Sequence, residues 1–414
     1  MGAGGREHAL SWKLSTSEKI DQVYAAPGNG GTLQNVELSV TDIEGLAKFA
    51  QEKNCFTVVG PEDPLAAGIV DAFVEKGLPI FGPSKNAAKL ESSKIWAKEF
   101  MKRNSIPTAD FEIFDDAQKA KDFVKSYEKP VVIKADGLAA GKGVIVCKNK
   151  DEANEAIDTI LTKKSFGDAG SKIIIEERID GIEASYIALC DGKIGIPMAT
   201  SQDHKRVFDN DEGPNTGGMG AYSPTPIIDE KLGTEIQEKI IDKTIHAMRD
   251  EGFEFKGFLY AGIMIKDGIP YVLEYNVRMG DPECQPILMR LDSDLYDYLH
   301  ASYEGKLNEL PEISWKNQYS VCVVLASKGY PSSYPTGDEI TGFENISSDA
   351  FVFHAGTKKQ DDKIKSNGGR VLGVTALGSS LEDAINNAYD ACNHIHWTNK
   401  YHRTDIGKKG LSNL

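Results

Sequence analysis

The stretch that decides the fold is Val131-Val132-Ile133-Lys134-Ala135-Asp136-Gly137-Leu138-Ala139-Ala140-Gly141-Lys142-Gly143-Val144-Ile145-Val146-Cys147. Its glycines suggest a phosphate loop, but the spacing from Gly137 to Gly141 is one residue shorter than in a Walker A motif. Gly143 stands where Ser or Thr should follow the lysine, and residues 144–147 look like a strand where that motif has a helix. The stretch therefore predicts two short strands joined by a glycine-rich hairpin.

This hairpin has the chemistry of a flap over a nucleotide. Glycines let backbone N–H groups approach phosphate oxygens closely, and the flanking strands would allow the loop to close. Lys134 ends an apolar run, where an unpaired ammonium group is costly unless an anion meets it. The alternative is a flexible surface hairpin with solvated lysines.

The segment before the hairpin alternates strand and helix signals. Residues 20–24, 56–59 and 79–81 are typical of strands, and residues 41–51 and 64–76 of helices. Thr41 and Glu44 fit a capping box at the start of the first helix. The alternation predicts a parallel sheet with ligands beyond the C-terminal ends of its strands, near residues 60–63.

The pattern changes after a helical stretch at residues 87–103. Strand signals at residues 172–177, 258–265 and 270–276, the last two flanking an Asp267-Gly268 turn, indicate an α+β unit. Strands at residues 319–326, 351–354 and 371–377 and a helix at residues 381–392 then predict a smaller terminal domain.

Two polar segments are candidate sites. Glu274 and Asn276 share one face of a predicted strand, so their oxygens could hold a hard cation, or they could simply be the solvated face of that strand. Residues 201–206 and 213–222 fit neither helix nor strand, which favours a substrate loop over a mobile linker.

Three other features of the sequence are weaker candidates for ligand binding. The glycine turn at residues 2–5, followed by Arg6, could bind an anion at a helix N-terminus, but it lacks the dinucleotide-binding spacing. Arg370 follows two glycines and could contact a phosphate or form a surface salt bridge. His394, His396 and His402 have no fourth ligand at a useful spacing and do not indicate a metal site.

Composition excludes several classes of protein. The 414 residues are 40% hydrophobic and carry a net charge of −15, which argues against a general nucleic-acid binder. No run approaches the roughly 18 to 20 apolar residues of a membrane span, so we expect a cytoplasmic protein. The six cysteines form no C-x-x-C pair, so neither a disulfide framework nor a zinc ribbon is indicated.

In combination, these segments closely resemble the glycinamide ribonucleotide synthetases, a family of ATP-grasp enzymes. The likeness covers nearly the whole chain. It rests on residues 4–10, 26–29, 59–62, 132–144, 199–206, 214–223, 280–283 and 354–357.

The resemblance implies a Rossmann-like N-terminal domain (residues 1–86), an ATP-grasp core (87–312) with a mobile lid subdomain (about 108–178), and a small mixed C-terminal domain (313–414). In this family an apolar strand precedes the first glycine turn, whereas here only Met1 does. We therefore expect that the chain starts late and that the first strand of the N-terminal sheet is missing.

The resemblance also implies roles for individual residues. ATP would be bound by Lys94, Lys134, Gly137, Gly141, Lys142, Gly143, Glu176, Glu177, Ile179 and Glu183. The metal ligands would be Glu274 and Asn276. Substrate would be bound by Gly5, Arg6, Glu7, Asn29, Pro61, Glu62, Asp203, Lys205, Thr216, Gly217, Gly218, Met219, Asp281, Pro282 and Glu283, with Arg370 added from its glycine turn. Lys134, Arg278, Asp203 and Lys205 would be catalytic.

The implied reaction is the ATP-dependent ligation of glycine to 5-phosphoribosylamine through glycyl phosphate, in purine biosynthesis. The expected cofactors are ATP and Mg²⁺ or Mn²⁺, and the expected protein is a monomer without nucleic-acid or membrane partners. Lysines and a metal ion suit phosphoryl transfer, which depends on positioning and charge neutralisation.

Three alternatives stay open at this point. The chain could be another ATP-grasp ligase or a carboxylase that uses bicarbonate. It could be a nucleotide-binding regulatory module without turnover. A nicotinamide-dependent dehydrogenase is the third.

Overall fold

The computed structural model describes residues 1–138, 143–165 and 167–413. Its helices are Gly5–Leu14 (α1), Ile43–Lys53 (α2), Glu62–Ala67 (α3), Ile69–Glu75 (α4), Lys89–Ser92 (α5), Lys94–Arg103 (α6), Ala117–Ser126 (α7), Lys150–Ile157 (α8), Glu230–Ile236 (α9), Lys243–Asp250 (α10), Cys284–Arg290 (α11), Leu295–Glu304 (α12), Leu381–His394 (α13) and Lys408–Leu411 (α14). None of these described helices is long and apolar enough to cross a bilayer.

The strands are short in the N-terminal part and longer afterwards. They are Thr57–Val58 (β1), Ile80–Phe81 (β2), Phe111–Phe114 (β3), Val131–Ala135 (β4), Val144–Val146 (β5), Ile173–Glu177 (β6), Ile182–Asp191 (β7), Gly195–Pro197 (β8), Gln202–Asp203 (β9), Arg206–Phe208 (β10), Glu212–Asn215 (β11), Gly220–Ser223 (β12), Lys256–Lys266 (β13), Ile269–Asn276 (β14), Tyr319–Ser327 (β15), Glu339–Ile340 (β16), Ala350–His354 (β17), Thr357–Gln360 (β18), Lys363–Ser366 (β19), Arg370–Gly378 (β20) and Lys400–Tyr401 (β21).

The N-terminal part contains the predicted parallel pairing, because β1 pairs in parallel with β2. The strand predicted at residues 20–24 is wrong. Those residues are exposed or half-buried, and the backbone bond to the N-terminal turn comes instead from the buried Ala26, whose carbonyl accepts from Gly2 N–H at 2.7 Å. On the other side of this turn, Gly60 N–H donates to the Met1 carbonyl at 3.1 Å.

Two helix starts in this part differ from the prediction. The predicted cap Thr41 lies outside α2, because Asp42 caps the helix by accepting from Gly45 N–H at 3.0 Å. The helix predicted at residues 64–76 is two helices, α3 and α4, which separate at Gly68. Gly68 has φ +96°, a left-handed conformation that ends a helix and favours glycine.

The two strands predicted around the glycine-rich loop are present and pair with each other. Strands β4 and β5 pair in an antiparallel manner with Lys134 opposite Val144, and they belong to a four-stranded sheet in the order β3-β6-β4-β5. Helices α7 and α8 cover this sheet, and Ile133, Ile157 and Ile175 are among the buried residues of its own apolar core. The hairpin is therefore part of a small folding unit that packs beside the rest of the protein.

A second antiparallel sheet forms the centre of the molecule. Its order is β14-β13-β7-β8, and the turn at Asp267 and Gly268 joins β13 to β14 as predicted. Glu274 lies opposite Gly262, and Asn276 lies opposite Tyr260. This sheet places the two candidate metal ligands at the end of β14 nearest the N-terminal part.

The third sheet contains β17, β20, β15, β12 and β9 in that order, with β21 paired to β15 and α13 packed on it. The prediction that residues 201–206 and 213–222 form neither helix nor strand is wrong, because β9 lies within the first segment and β10, β11 and β12 overlap the two segments. Strand β12 pairs with β15, about a hundred residues away in sequence, and buries Tyr222 completely. Local sequence cannot reveal a pairing across such a distance.

Candidate active site

A cleft of about 930 Å³ lies where the three sheets meet, and it falls within the size range of small-ligand pockets. Its walls come from α1, α3, α5, α6, the β4–β5 hairpin, β6, β7, β14, the β9–β12 segment, β20 and α14. The predicted residues that line it are Arg6, Glu62, Lys94, Lys134, Gly143, Glu176, Glu177, Ile179, Glu183, Asp203, Lys205, Thr216, Gly217, Glu274, Asn276, Arg278, Asp281, Glu283 and Arg370.

Lys134 is held at the cleft by β4 and by two neighbours. Its Nζ donates to the Leu273 carbonyl at 2.9 Å and lies 3.0 Å from Glu176 Oε1. The other Glu176 oxygen pairs with Lys98 at 3.0 Å, and all three charged side chains are buried. Burial lowers the pKa of Lys98 to about 8. Sequence reasoning missed Lys98, although it follows Lys94 by one helical turn and so shares its face.

Lys94, the first residue of α6, binds the backbone of the glycine-rich hairpin. Its Nζ donates to the Gly137 carbonyl at 2.7 Å, and burial lowers the pKa of its ammonium group. Asp136 binds the start of the same helix, because its Oδ1 accepts from Ser93 Oγ and from Ile95 N–H, both at 3.1 Å. Of the other predicted hairpin residues, Gly141 and Lys142 lie outside the described residues.

Lys205 lies among carboxylates on the opposite wall. Its Nζ is 2.8 Å from Glu183 Oε1, 3.7 Å from Glu274 Oε1 and 4.0 Å from Asp203 Oδ2. Burial raises the pKa of Asp203 to about 8, assisted by the nearby Glu283 and opposed by Lys205. The structure thus brings together residues from β7, β9 and β14 that sequence reasoning had to assign separately.

Glu274 and Asn276 fit a magnesium site by their chemistry and placement. They lie two residues apart on β14, line the same cleft and offer carboxylate and amide oxygens, which Mg²⁺ prefers. Although burial opposes ionisation, the positive charges of Lys205, Lys134 and Lys94 lower the pKa of Glu274. Magnesium usually keeps several waters and phosphate oxygens as further ligands, so two protein ligands suffice.

Arg278 is fixed by two carboxylates from the N-terminal side of the cleft. Its Nε lies 3.1 Å from Glu62 Oε2, and its Nη2 lies 2.8 Å from Glu91 Oε1. Its Nη2 also donates to Asn276 Oδ1 at 3.2 Å. Glu91 was missed by sequence reasoning, since nothing in the local pattern distinguishes it from an exposed helix residue. Burial raises its pKa to about 7.

Arg370 connects the third sheet to the cleft. Its Nη1 donates to the backbone carbonyls of Gly217, at 2.7 Å, and Asp281, and its Nη2 lies 3.6 Å from Asp281 Oδ2. Asp281 also accepts from Arg6 N–H at 3.4 Å. Of the two sequence alternatives for Arg370, the structure shows a salt bridge, with Asp281, from a side chain that lines the cleft. The contact with a phosphate stays a prediction.

Several predicted residues lie behind the cleft wall. Asn29 donates to the Ala3 carbonyl at 3.0 Å and to the His354 carbonyl at 2.8 Å, so its amide joins the N-terminal turn to β17. Met219 is completely buried. Among the described residues, those predicted positions that do not line the cleft are Gly5, Glu7, Asn29, Pro61, Gly137, Gly218, Met219 and Pro282.

Nearly the whole chain is similar to known proteins. Three family models match it: phosphoribosylglycinamide synthetase N domain over residues 1–91, its ATP-grasp (A) domain over residues 92–284, and its C domain over residues 320–409. The phosphoribosylamine–glycine ligase of Vibrio parahaemolyticus is 50% identical over 100% of this chain and 98% of its own length. That of Salmonella typhimurium is also 50% identical, over 99% of this chain and 98% of its own length.

Solved structures also superimpose on nearly the whole chain. The phosphoribosylamine–glycine ligase of Thermotoga maritima superimposes with a TM-score of 0.83 at 33% identity, covering 98% of both chains. A biotin carboxylase from Campylobacter jejuni superimposes with a TM-score of 0.72 at 17% identity, covering 99% of this chain and 93% of that chain. The second likeness concerns the fold alone. The family-model match over residues 92–284 confirms the predicted ATP-grasp architecture.

Proposed function

This chain belongs to the phosphoribosylglycinamide synthetase family, and from that premise we propose how its cleft carries out the reaction. The protein is an ATP-dependent ligase that joins glycine to 5-phosphoribosylamine in purine biosynthesis. The site is assigned because Lys134, Lys205, Glu274 and Arg278 line one cleft.

We propose that the reaction passes through glycyl phosphate. A glycine carboxylate is unreactive towards amines, so its oxygen first accepts the γ-phosphoryl group of ATP, with release of ADP. The amine of phosphoribosylamine then attacks the acyl carbon and releases phosphate. Lys134 and Lys94 would neutralise charge on the phosphates, and Lys205 and Arg278 would hold the carboxylate in line for transfer.

Glu274 and Asn276 would hold Mg²⁺ or Mn²⁺ in this proposal. The ion would supply charge neutralisation at the transferring phosphoryl group. Asp203 lies beside Lys205 in a buried position, so its carboxyl group would help to orient that ammonium group. Because water would hydrolyse an acyl phosphate, a glycine-rich hairpin that covers the cleft would protect this intermediate.

The same proposal extends to the organisation of the protein. We propose a Rossmann-like domain at residues 1–86, an ATP-grasp core at 87–312 with a lid at about 108–178, and a C-terminal domain at 313–414. The separate apolar core beneath the β4–β5 hairpin supports a lid that moves as a unit. We also propose a cytoplasmic monomer that acts on small molecules without nucleic-acid or membrane partners.

The first test measures product formation with purified protein. With ATP, Mg²⁺, glycine and freshly generated phosphoribosylamine, we expect glycinamide ribonucleotide by mass spectrometry and one phosphate for each product molecule. Replacement of glycine by bicarbonate should stop phosphate release. Phosphate release that depends on bicarbonate and not on glycine would refute the assignment.

The second test concerns the metal ligands. We expect E274Q to lower kcat by roughly a hundredfold or more, because it removes the charged oxygen ligand at the phosphoryl-transfer centre. The matched control is D267N, at the turn of the same β13–β14 hairpin, which should keep the turnover of the unmodified enzyme. Circular dichroism should show both variants folded, and full activity of E274Q would disprove the proposed metal site.

A further inference from the structure

Arg403 is a fully buried arginine outside the cleft. It lies between β21 and α14, and its guanidinium makes a two-point contact with Asp405, with both N–O distances at 2.7 Å. Its Nη1 also donates to Asp211 Oδ1 and to the Arg206 carbonyl, both at 3.0 Å. These last two residues belong to the β10–β11 hairpin, so the buried charge joins two parts of the chain that are far apart in sequence.

Other contacts from the same segment hold the same hairpin. Tyr401 OH donates to the Val207 carbonyl at 2.9 Å, and Thr404 N–H donates to Asp209 Oδ1 at 2.8 Å. Lys409 pairs with Asp211 at 2.5 Å. We call residues 401–409 the C-terminal clamp, because they contact strand β10 and the turn at residues 209–211 of this hairpin.

The base of the hairpin carries residues of the proposed active site. Thr216 N–H donates to the Lys205 carbonyl at 2.7 Å, which closes the hairpin where it meets the cleft. Gly407 N–H in the clamp donates to His204 Nε2 at 3.4 Å, and His204 lies between Asp203 and Lys205 in the chain. A shift of the hairpin would therefore move Lys205 away from Glu183.

We propose that Arg403 is a positioning residue for the ligase reaction and acts on Lys205 through the β10–β11 hairpin. The inference rests on the proposed role of Lys205. The Arg403 guanidinium binds two carboxylates and a carbonyl, with a bidentate contact to Asp405, whereas the ammonium group of lysine cannot reproduce that fork. Because small misplacements of a positioning group can lower catalytic rates by large factors, the effect should appear in turnover.

The experiment compares four variants of the full chain. R403K keeps the charge but loses the fork, and D405N is a milder change of the same contact. K205A reports the role of Lys205 itself. The matched control is K400M, because the Lys400 ammonium group donates, among the residues that the structure describes, to the carbonyls of Cys392 and Ile395 and not to the hairpin.

Steady-state kinetics and limited trypsin digestion provide two readouts. We expect R403K and D405N to lower kcat/KM by about tenfold for the same substrate that K205A affects. Trypsin cleavage after Lys205 and Arg206 should become faster in R403K and D405N, relative to cleavage elsewhere in the chain. K400M should lower the melting temperature without either effect.

The outcomes separate the two proposals. If R403K and D405N lose stability but keep kcat/KM and hairpin cleavage at the values of K400M, Arg403 has a structural role only and the inference is overturned. If K205A keeps full turnover, the proposed role of Lys205 is refuted instead. A defect in K205A without one in R403K and D405N refutes the positioning role alone.

Discussion

Glu91 is a buried carboxyl group whose protonation is coupled to folding. Burial raises its pKa to about 7 from an ordinary value of 4.5. Between these two pH values the folded protein retains a proton that the unfolded chain has lost, so the free energy of unfolding should fall as the pH rises through this window. Above about pH 7 this contribution should be constant.

The measurement is urea unfolding at several pH values from 5 to 8. E91Q removes the titrating group, so its free energy of unfolding should fall less steeply over this window than that of the unmodified protein. Asp203, whose pKa is raised to about 8, contributes a slope of the same sign in both proteins. An unchanged slope in E91Q would mean that Glu91 is already ionised in the folded state.

The residues that sequence reasoning missed share a physical property. Lys98 is followed by the exposed Glu99 and Glu91 by the half-buried Ser92, and only tertiary packing buries the two charged side chains. Lys134, in contrast, stood out because it ends an apolar strand. Local patterns reveal a charge in apolar surroundings along the chain, but they do not reveal a charge that is buried by a distant element.

At the scale of elements, the role of the glycine-rich hairpin in ATP binding can be tested by replacing two glycines with alanine. Both glycines belong to the folding unit that contains the β4–β5 hairpin. Gly137 and Gly167 both have positive φ, +88° and +57°, so alanine strains the backbone at either position. At Gly137 an added Cβ would also lie 3.2 Å from the Ala169 Cβ, whereas Gly167 has open space. Gly137 also provides the carbonyl that binds Lys94.

We therefore expect G137A to raise the KM for ATP several-fold, because it displaces the base of the hairpin beside a phosphate-binding lysine. G167A should lower the melting temperature by a similar amount and leave the KM for ATP unchanged. Equal effects of both variants on this KM would show that loss of lid stability, and not hairpin position, controls ATP affinity.

The elements themselves were predictable where local pattern and tertiary role agree. The β4–β5 hairpin, the β13–β14 hairpin and helix α13 were predicted from alternation, turn residues and periodicity, and the structure contains them. The strand predicted at residues 20–24 and the irregular segment predicted at residues 201–206 and 213–222 are wrong for opposite reasons. The first has strand-like residues without a partner strand, and the second has polar and glycine-rich residues that gain partners from distant parts of the chain.

At the scale of the whole molecule, Arg370 brings the C-terminal part to the cleft. We expect R370M to raise the KM for phosphoribosylamine by about tenfold, because it leaves Asp281 without its guanidinium partner and frees Gly217. R370K should recover part of this loss. Steady-state kinetics at saturating ATP and glycine provides the measurement.

The matched control is K363M, which removes an exposed ion pair with Glu339 in the same part of the chain. Exposed pairs contribute little to stability, so this variant should behave like the unmodified protein. A normal KM in R370M would place the phosphoribosylamine site away from Arg370 and closer to the lid.

The pairing of the cleft arginines has a consequence for selectivity. Arg6, Arg278 and Arg370 each pair with at least one carboxylate. These carboxylates act as internal counter-ions and offset the positive charge of the arginines. A chloride or free phosphate ion is therefore attracted only weakly to these arginines. An anion that binds at these arginines must replace or share their carboxylate partners. The cleft thus favours a ligand whose shape spans those positions over one that offers charge alone.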